Sequence, residues 1–187
     1  VYLRKESRRY YPTGEVAAQL IGITNVDDKG IEGLERLYDD WLTGSPGTRK
    51  IRRDAKGRQV EVLESKDGEA AGNLTLTIDQ RIQALAYREI KEAMLYYQAS
   101  SASAIVIDVH SGDILAMVNA PSFNPNDRSD ISPRRMRNRV ITDAFEPGSS
   151  LKPLAVLSAL EFGAVKVGDI VDTSPGWMRL GGSLVKD

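Results

Sequence analysis

Cysteine is absent from the 187 residues. That excludes disulfide frameworks, thiolate nucleophiles and zinc–thiolate sites. It leaves the compartment open, since a cysteine-free chain suits oxidising and reducing spaces alike. Histidine is nearly absent too: His110 stands alone, in the turn His110-Ser111-Gly112-Asp113 between two apolar runs. One imidazole among scattered carboxylates offers no metal-ligand spacing. Its place in a turn gives no ground for a Ser-His-Asp triad either. No apolar run approaches the ~18 residues that a membrane-spanning helix needs. Neither charge sign dominates: the formal net charge is −1, so nothing global draws the chain to nucleic acid. There is no internal repeat, no low-complexity tract and no signal-like start. The chain opens on Val1 and reads as an excerpt of a longer protein whose anchor or signal lies outside it.

What is there is ordinary globular composition, 41% hydrophobic and 27% charged, enough for one domain or two small ones. The first third is charged and punctuated by Gly and Pro. Residues 16–23 suit a strand or short helix. Residues 33–42 suit a helix whose apolar face is Leu34, Leu37, Tyr38 and Trp41. Arg49 to Arg53 and Arg58 to Leu63 form two predicted strands about the turn at 54–57, and the polar stretch 65–72 is a candidate linker. Residues 73–77 alternate like a short strand. Asp79 can cap a helix over roughly 80–98. The runs 102–109 and 114–119 predict a β-hairpin beside that helix, and 120–139 reads as loop.

The chemistry lies in Phe145-Glu146-Pro147-Gly148-Ser149-Ser150-Leu151-Lys152-Pro153 and the apolar stretch 154–162. Pro147-Gly148 breaks the chain. Pro153 is tolerated only in a first helical turn, so a helix should begin near Ser149, and its apolar continuation predicts a mostly buried helix. A helix N-terminus presents free N–H groups and the positive end of the dipole, both of which favour an alkoxide-like oxygen on Ser149. Lys152 lies three residues on, within reach of the same face, where its amine can accept the serine proton. An N-cap serine followed by a solvated lysine gives the same spacing. A second copy, Ser183-Leu184-Val185-Lys186, follows Gly181-Gly182 with no apolar helix after it, and there the structural reading wins. The basic run Arg134-Arg135-Met136-Arg137-Asn138-Arg139 lacks interleaved aromatics. It reads better as arginines paired with local carboxylates than as a nucleic-acid contact.

The nine residues from Phe145 to Pro153 closely resemble the active-site serine motif of class B penicillin-binding proteins. Other segments resemble the family colinearly. Arg8-Arg9-Tyr10-Tyr11-Pro12, Gly30-Ile31-Glu32-Gly33-Leu34-Glu35, Leu42-Thr43-Gly44, Pro46-Gly47 and Asp54 with Gly57-Arg58 are similar to its pedestal signatures. Leu76-Thr77-Ile78-Asp79, Asp108-Val109, Ile114-Leu115-Ala116-Met117 and Arg137-Asn138-Arg139 are similar to the opening of its transpeptidase domain. The likeness is strongest to the division-specific septal type of Gram-negative bacteria.

The resemblance implies an α+β fold: residues 1–68 as the C-terminal part of a pedestal (dimerisation-type) domain, and 73–187 as the N-terminal part of a transpeptidase domain with helices on an antiparallel sheet. It implies a serine-type D-alanyl-D-alanine transpeptidase with Ser149 as nucleophile and Lys152 as the residue that takes its proton, no cofactor and no metal. Implied partners are the peptidoglycan stem pentapeptide, β-lactam antibiotics, the septal glycan polymerase and other division proteins, with no nucleic acid. The implied place is the periplasmic face of the inner membrane. A serine β-lactamase or β-lactam sensor shares the Ser-x-x-Lys, though the long pedestal-like first third argues against both. A non-catalytic scaffold of the division machinery is the alternative from another class.

The family's Ser-x-Asn and Lys-Thr/Ser-Gly motifs do not occur after Ser149. The second of these strands normally helps form the oxyanion hole, where losing one donor typically costs about 10²–10³ in rate. The 187-residue piece alone is therefore expected to be incompetent. Incubation with a fluorescent penicillin should leave it unlabelled, and robust acylation at Ser149 would overturn that expectation.

Overall fold

The computed structural model describes residues 8–186. The first seven residues of the expected pedestal part and the last residue of the expected transpeptidase part lie outside the described residues. The chain divides into two compact units, Val1–Asp143 and Ala144–Asp187, and each is described by itself.

In the first unit, a 3-10 turn at Gly14–Val16 and α1 (Ala18–Ile21) lead into β1 (Ile23–Thr24), which pairs antiparallel with β2 (Gly30–Glu32). α2 (Gly33–Leu37) and α3 (Asp39–Thr43) follow. The one helix expected over 33–42 is thus two, parted at Tyr38 with φ −115° and ψ 26°. Its apolar stripe is not a core face, because Leu37 is 71% and Trp41 57% exposed. The buried side chain on α2 is instead Glu35. Arg9 meets it side-on, Nε to Oε1 at 3.0 Å and Nη2 to Oε2 at 3.0 Å. A carboxylate goes inside only with such a partner.

Two glycines let β2 and α1 meet. A Cβ on Gly22 (φ +85°) would fall 1.7 Å from the Glu32 carbonyl oxygen, and one on Gly33 (φ +62°) 2.6 Å from the Gly22 Cα. No other residue fits that crossing. β3 (Thr48–Arg53) and β4 (Gln59–Lys66) form the expected hairpin about Asp54, exposed along nearly its whole length. The polar stretch after it is tied back. Glu69 N donates to Ser45 Oγ at 3.0 Å, Gly72 N to Trp41 O at 2.8 Å, and Trp41 Nε1 to Asn73 O at 3.2 Å. Residues 73–77 form no strand. Among the described residues their one hydrogen bond to the neighbouring strand is Thr77 Oγ1 donating to Ile114 O at 2.6 Å; just beyond them Asp79 N donates to Leu115 O at 3.0 Å.

α4 (Gln80–Tyr96) starts where Asp79 caps it, accepting from Arg81 N and Ile82 N. It lies on the antiparallel hairpin of β5 (Ala102–Ile107) and β6 (Ile114–Ala120). β6 is buried from Ala116 to Ala120. The segment expected as loop carries a 3-10 turn at Arg128–Asp130 and α5 (Pro133–Met136), and α6 (Arg139–Thr142) closes the unit. The core joins both ends of this unit: Tyr11, Ala18 and Ile23 pack with Phe123, flanked by Ile21, Ile131 and Met136.

Polar side chains hold the same joint. Gln83, 2% exposed, donates to Val16 O and Met117 O, both at 2.9 Å, and accepts from Met117 N at 2.8 Å. Gln19 donates to Pro121 O at 3.2 Å and to Arg135 O at 2.8 Å. Asn126 accepts from Tyr11 N at 3.0 Å and donates to Tyr11 O at 2.8 Å.

The second unit holds a 3-10 turn at Gly148–Leu151, α7 (Lys152–Glu161), and an antiparallel hairpin of β7 (Trp177–Leu180) and β8 (Ser183–Lys186). Helices with antiparallel sheets throughout make the chain α+β, as the sequence implied.

Replacing Gln83 by Leu keeps the volume but strands three buried backbone groups. The expected cost is about 3 kcal/mol, read as a lower urea midpoint at unchanged slope; an unchanged midpoint contradicts the role given to Gln83. The Asp79 carboxyl is pulled down to about 2, first by the Arg81 guanidinium and then by the backbone N–H groups of Arg81 and Ile82. A carboxyl lowered in the folded state stabilises it above the ordinary carboxylate pKa of about 4, and that contribution is lost as pH falls towards 2. Asp79→Ala should therefore melt earlier than the parent at neutral pH, the gap closing between about pH 4 and 2. A gap independent of pH would refute the assignment.

Candidate active site

Ser149 sits in the 3-10 turn, not at the cap of an α-helix. Pro147 precedes the turn in the right-handed helical region and Gly148 turns the chain with φ +53°, a conformation that costs a side-chain-bearing residue about 1–2 kcal/mol. Ser150 N then donates to Pro147 O at 3.1 Å. The Lys152 N–H donates to the Ser149 carbonyl, closing one turn between the two candidate residues. In 3-10 geometry positions i and i+3 eclipse, so Ser149 and Lys152 project from one side of the chain. α7 begins at Lys152, with Leu151 as its cap and Pro153 in its first turn. The α-helix therefore starts three residues later than the expected start near Ser149. The proline fixes it there, because a ring one turn deeper would clash with the preceding turn.

The second Ser-x-x-Lys is a different object. Ser183 and Lys186 lie in β8, where side chains alternate with period two and positions three apart face opposite ways. The fold thus separates two copies of one spacing. Among the described residues no side-chain hydrogen bond joins Ser149 to Lys152, and both are exposed. Lys152 borders a cavity of about 380 Å³ whose walls include Asp172, Thr173, Trp177, Met178 and Lys186. The register Trp177↔Lys186 brings those two side chains to one end of the hairpin. Sequence reasoning missed this wall, since no spacing rule links residue 152 to a hairpin 25 residues on.

The expectation that α7 is mostly buried is corrected. Leu154 is 61%, Leu157 60% and Phe162 84% exposed. A helix apolar on every side is normally enclosed by neighbours, and among the described residues of its own unit no element covers it. His110 is exposed in its turn, its backbone N–H donating to Asp108 Oδ1 at 2.8 Å. In the basic run, Arg137 meets Asp143 and Arg134 donates to Ser100 O at 3.2 Å.

Comparison with known proteins places these features. The sequence model of the Penicillin-binding Protein dimerisation domain matches residues 1–76, and that of the Penicillin binding protein transpeptidase domain matches residues 102–187. The peptidoglycan D,D-transpeptidase FtsI of Escherichia coli K12 is 52% identical over all 187 residues, 100% of this chain and 32% of that protein. The chain belongs to the penicillin-binding proteins. It spans about a third of the length of the curated relatives it matches. Solved structures agree with this penicillin-binding protein over 96% of its length. A peptidoglycan synthetase from Bifidobacterium adolescentis superposes at TM-score 0.76 with 30% identity, over 33% of that chain. Penicillin binding protein 3 from Mycobacterium tuberculosis, complexed with aztreonam, superposes at 0.77 with 27% identity, over 37% of that chain.

Proposed function

We propose that this chain is part of a septal peptidoglycan D,D-transpeptidase, with Ser149 as its nucleophile and Lys152 as the base that activates it. The observation that carries the reading is the 3-10 turn after Gly148, which sets the two side chains on one side of the chain in a segment that matches the transpeptidase family. Support for the septal assignment is the 52% identity to FtsI.

In this reading Lys152 Nζ takes the proton of Ser149 Oγ as the oxygen attacks the penultimate carbonyl of a D-alanyl-D-alanine stem. The scissile C–N bond breaks, the departing D-alanine amine takes up a proton, and a serine ester remains. An amine from a neighbouring strand then attacks that ester. It loses its proton to the base, and the new amide forms as Ser149 Oγ leaves. A β-lactam acylates the same oxygen by opening its own ring amide. Residues 1–68 belong to the pedestal and 73–187 to the transpeptidase domain; the matches at 1–76 and 102–187 favour that division. The whole protein works on the periplasmic side of the inner membrane with the septal glycan polymerase and other division proteins. The 187 residues alone do not carry the reaction.

In the full-length protein, Ser149→Ala should abolish labelling by a fluorescent penicillin. Lys152→Ala should slow it by about 10²–10⁴, the usual worth of a positioned general base. Persistent labelling of the Ser149→Ala protein would remove the nucleophile assignment. Retention of division in cells by the same variant would favour the scaffold reading.

A further inference from the structure

The cavity beside Lys152, about 380 Å³, has walls for which acylation of Ser149 finds no use. All of them belong to the second unit. Asp172 comes from the segment before β7. Trp177 and Lys186 stand opposite one another in the register of β7 and β8. Lys186 closes the second Ser-x-x-Lys, which the nucleophile reading leaves aside.

Two ammonium groups and one carboxylate therefore line one small space. Among the described residues no ion pair joins Asp172 to Lys152 or to Lys186. Asp172 is held by Ser174 instead, whose N–H donates to Asp172 Oδ1 at 2.9 Å. That N–H first, and the Ser174 hydroxyl after it, keep the carboxyl below its ordinary range and so ionised. A space walled by charges of both signs that do not close on each other suits a ligand carrying both signs. The donor stem ends in a carboxylate with no free amine beside it, so Asp172 repels it. The acceptor brings an amine. A carboxylate attracts its ammonium form, and the indole face of Trp177 attracts the same cation.

We infer that this cavity is the acceptor subsite: it takes an amino-acid end, with Asp172 and Trp177 at the amine and Lys186 at the carboxylate. The inference rests on the reading of Ser149 and Lys152 as nucleophile and base. The bound ammonium gives one proton to water. The neutral amine then attacks the carbonyl carbon of the serine ester. The C–N bond forms and the C–Oγ bond breaks, and the second proton passes through Lys152 Nζ to Ser149 Oγ. Holding the amine next to the base favours transfer over attack by water.

The test uses the full-length protein, a soluble thioester donor, and D-alanine or D-alaninamide as acceptor. The readout is the ratio of transfer product to hydrolysis product. Both arise from one acyl-enzyme, so the rate of its formation and the folded fraction cancel. The parent should prefer D-alanine to D-alaninamide by about fivefold, the upper worth of one screened ion pair. Lys186→Gln should erase that preference. Asp172→Asn should lower transfer to both acceptors by about fivefold, and Asp172→Glu should recover part of it. Ratios unchanged in Asp172→Asn and Lys186→Gln overturn the inference, as does a Lys186→Gln protein that keeps its preference for D-alanine. Fluorescent-penicillin labelling that persists in Ser149→Ala overturns instead the nucleophile reading beneath it.

Discussion

The side chain of Gln83 holds together what the rest of the first unit depends on. β6 has β5 on one side only, so the Met117 N–H and C=O need a partner on the other. Gln83 supplies both a donor and an acceptor to that one residue, as an added strand would, and gives its second amide hydrogen to Val16. A helix, a hairpin and the segment about Val16 thus meet on one amide. In a dry interior such groups must be paired, because each stranded one costs about 1–3 kcal/mol. Gln19 and Asn126 repeat the device against 121–135 and Tyr11. The consequence is that residues 8–25 and the hairpin of β5 and β6 share one unit, whose division from the next falls at Asp143 and Ala144.

The candidate site depends on a different constraint. Ser149 needs a chain reversal before it and a helix start after it, and the sequence satisfies both with neighbours: Gly148 takes positive φ, and Pro153 can stand only in a first turn. Between them the chain has room for one tight turn. That turn is 3-10 rather than α, and its i, i+3 eclipse sets serine and lysine together more directly than an α-helical cap would. The same four-letter spacing in β8 yields opposite faces. The local backbone state therefore separates the two copies, which the residue types alone do not distinguish.

Much of this was legible in advance. The Asp79 cap, the α4 periodicity, both hairpins about Asp54 and Gly112, and the placement of Pro153 are local effects, settled within four or five residues. The break at Tyr38 and the exposure of Leu37 and Trp41 were not legible, because the 3.6-residue pattern does not say whether anything lies opposite. Residues 73–77 alternate like a strand yet, among the described residues, make one hydrogen bond to 114–115, and pairing needs a partner that alternation does not supply. The apolar run of α7 suggests burial for the same reason, and nothing in the run itself says what would cover it.

The sequence by itself determined where the chain turns, which helices start where, and that Ser149 and Lys152 stand one turn apart behind Pro147-Gly148. Family resemblance carried in colinear motifs lies on the same level. Tertiary structure alone decided that Glu35 is the buried residue of α2, that Gln83 stands in for a strand, that Arg137 and Arg139 converge on Asp143, and that Trp177 and Lys186 border the cavity beside Lys152. Each of these joins residues through space, by hydrogen-bond satisfaction or by strand register, and neither leaves a period or a spacing in the sequence to be read.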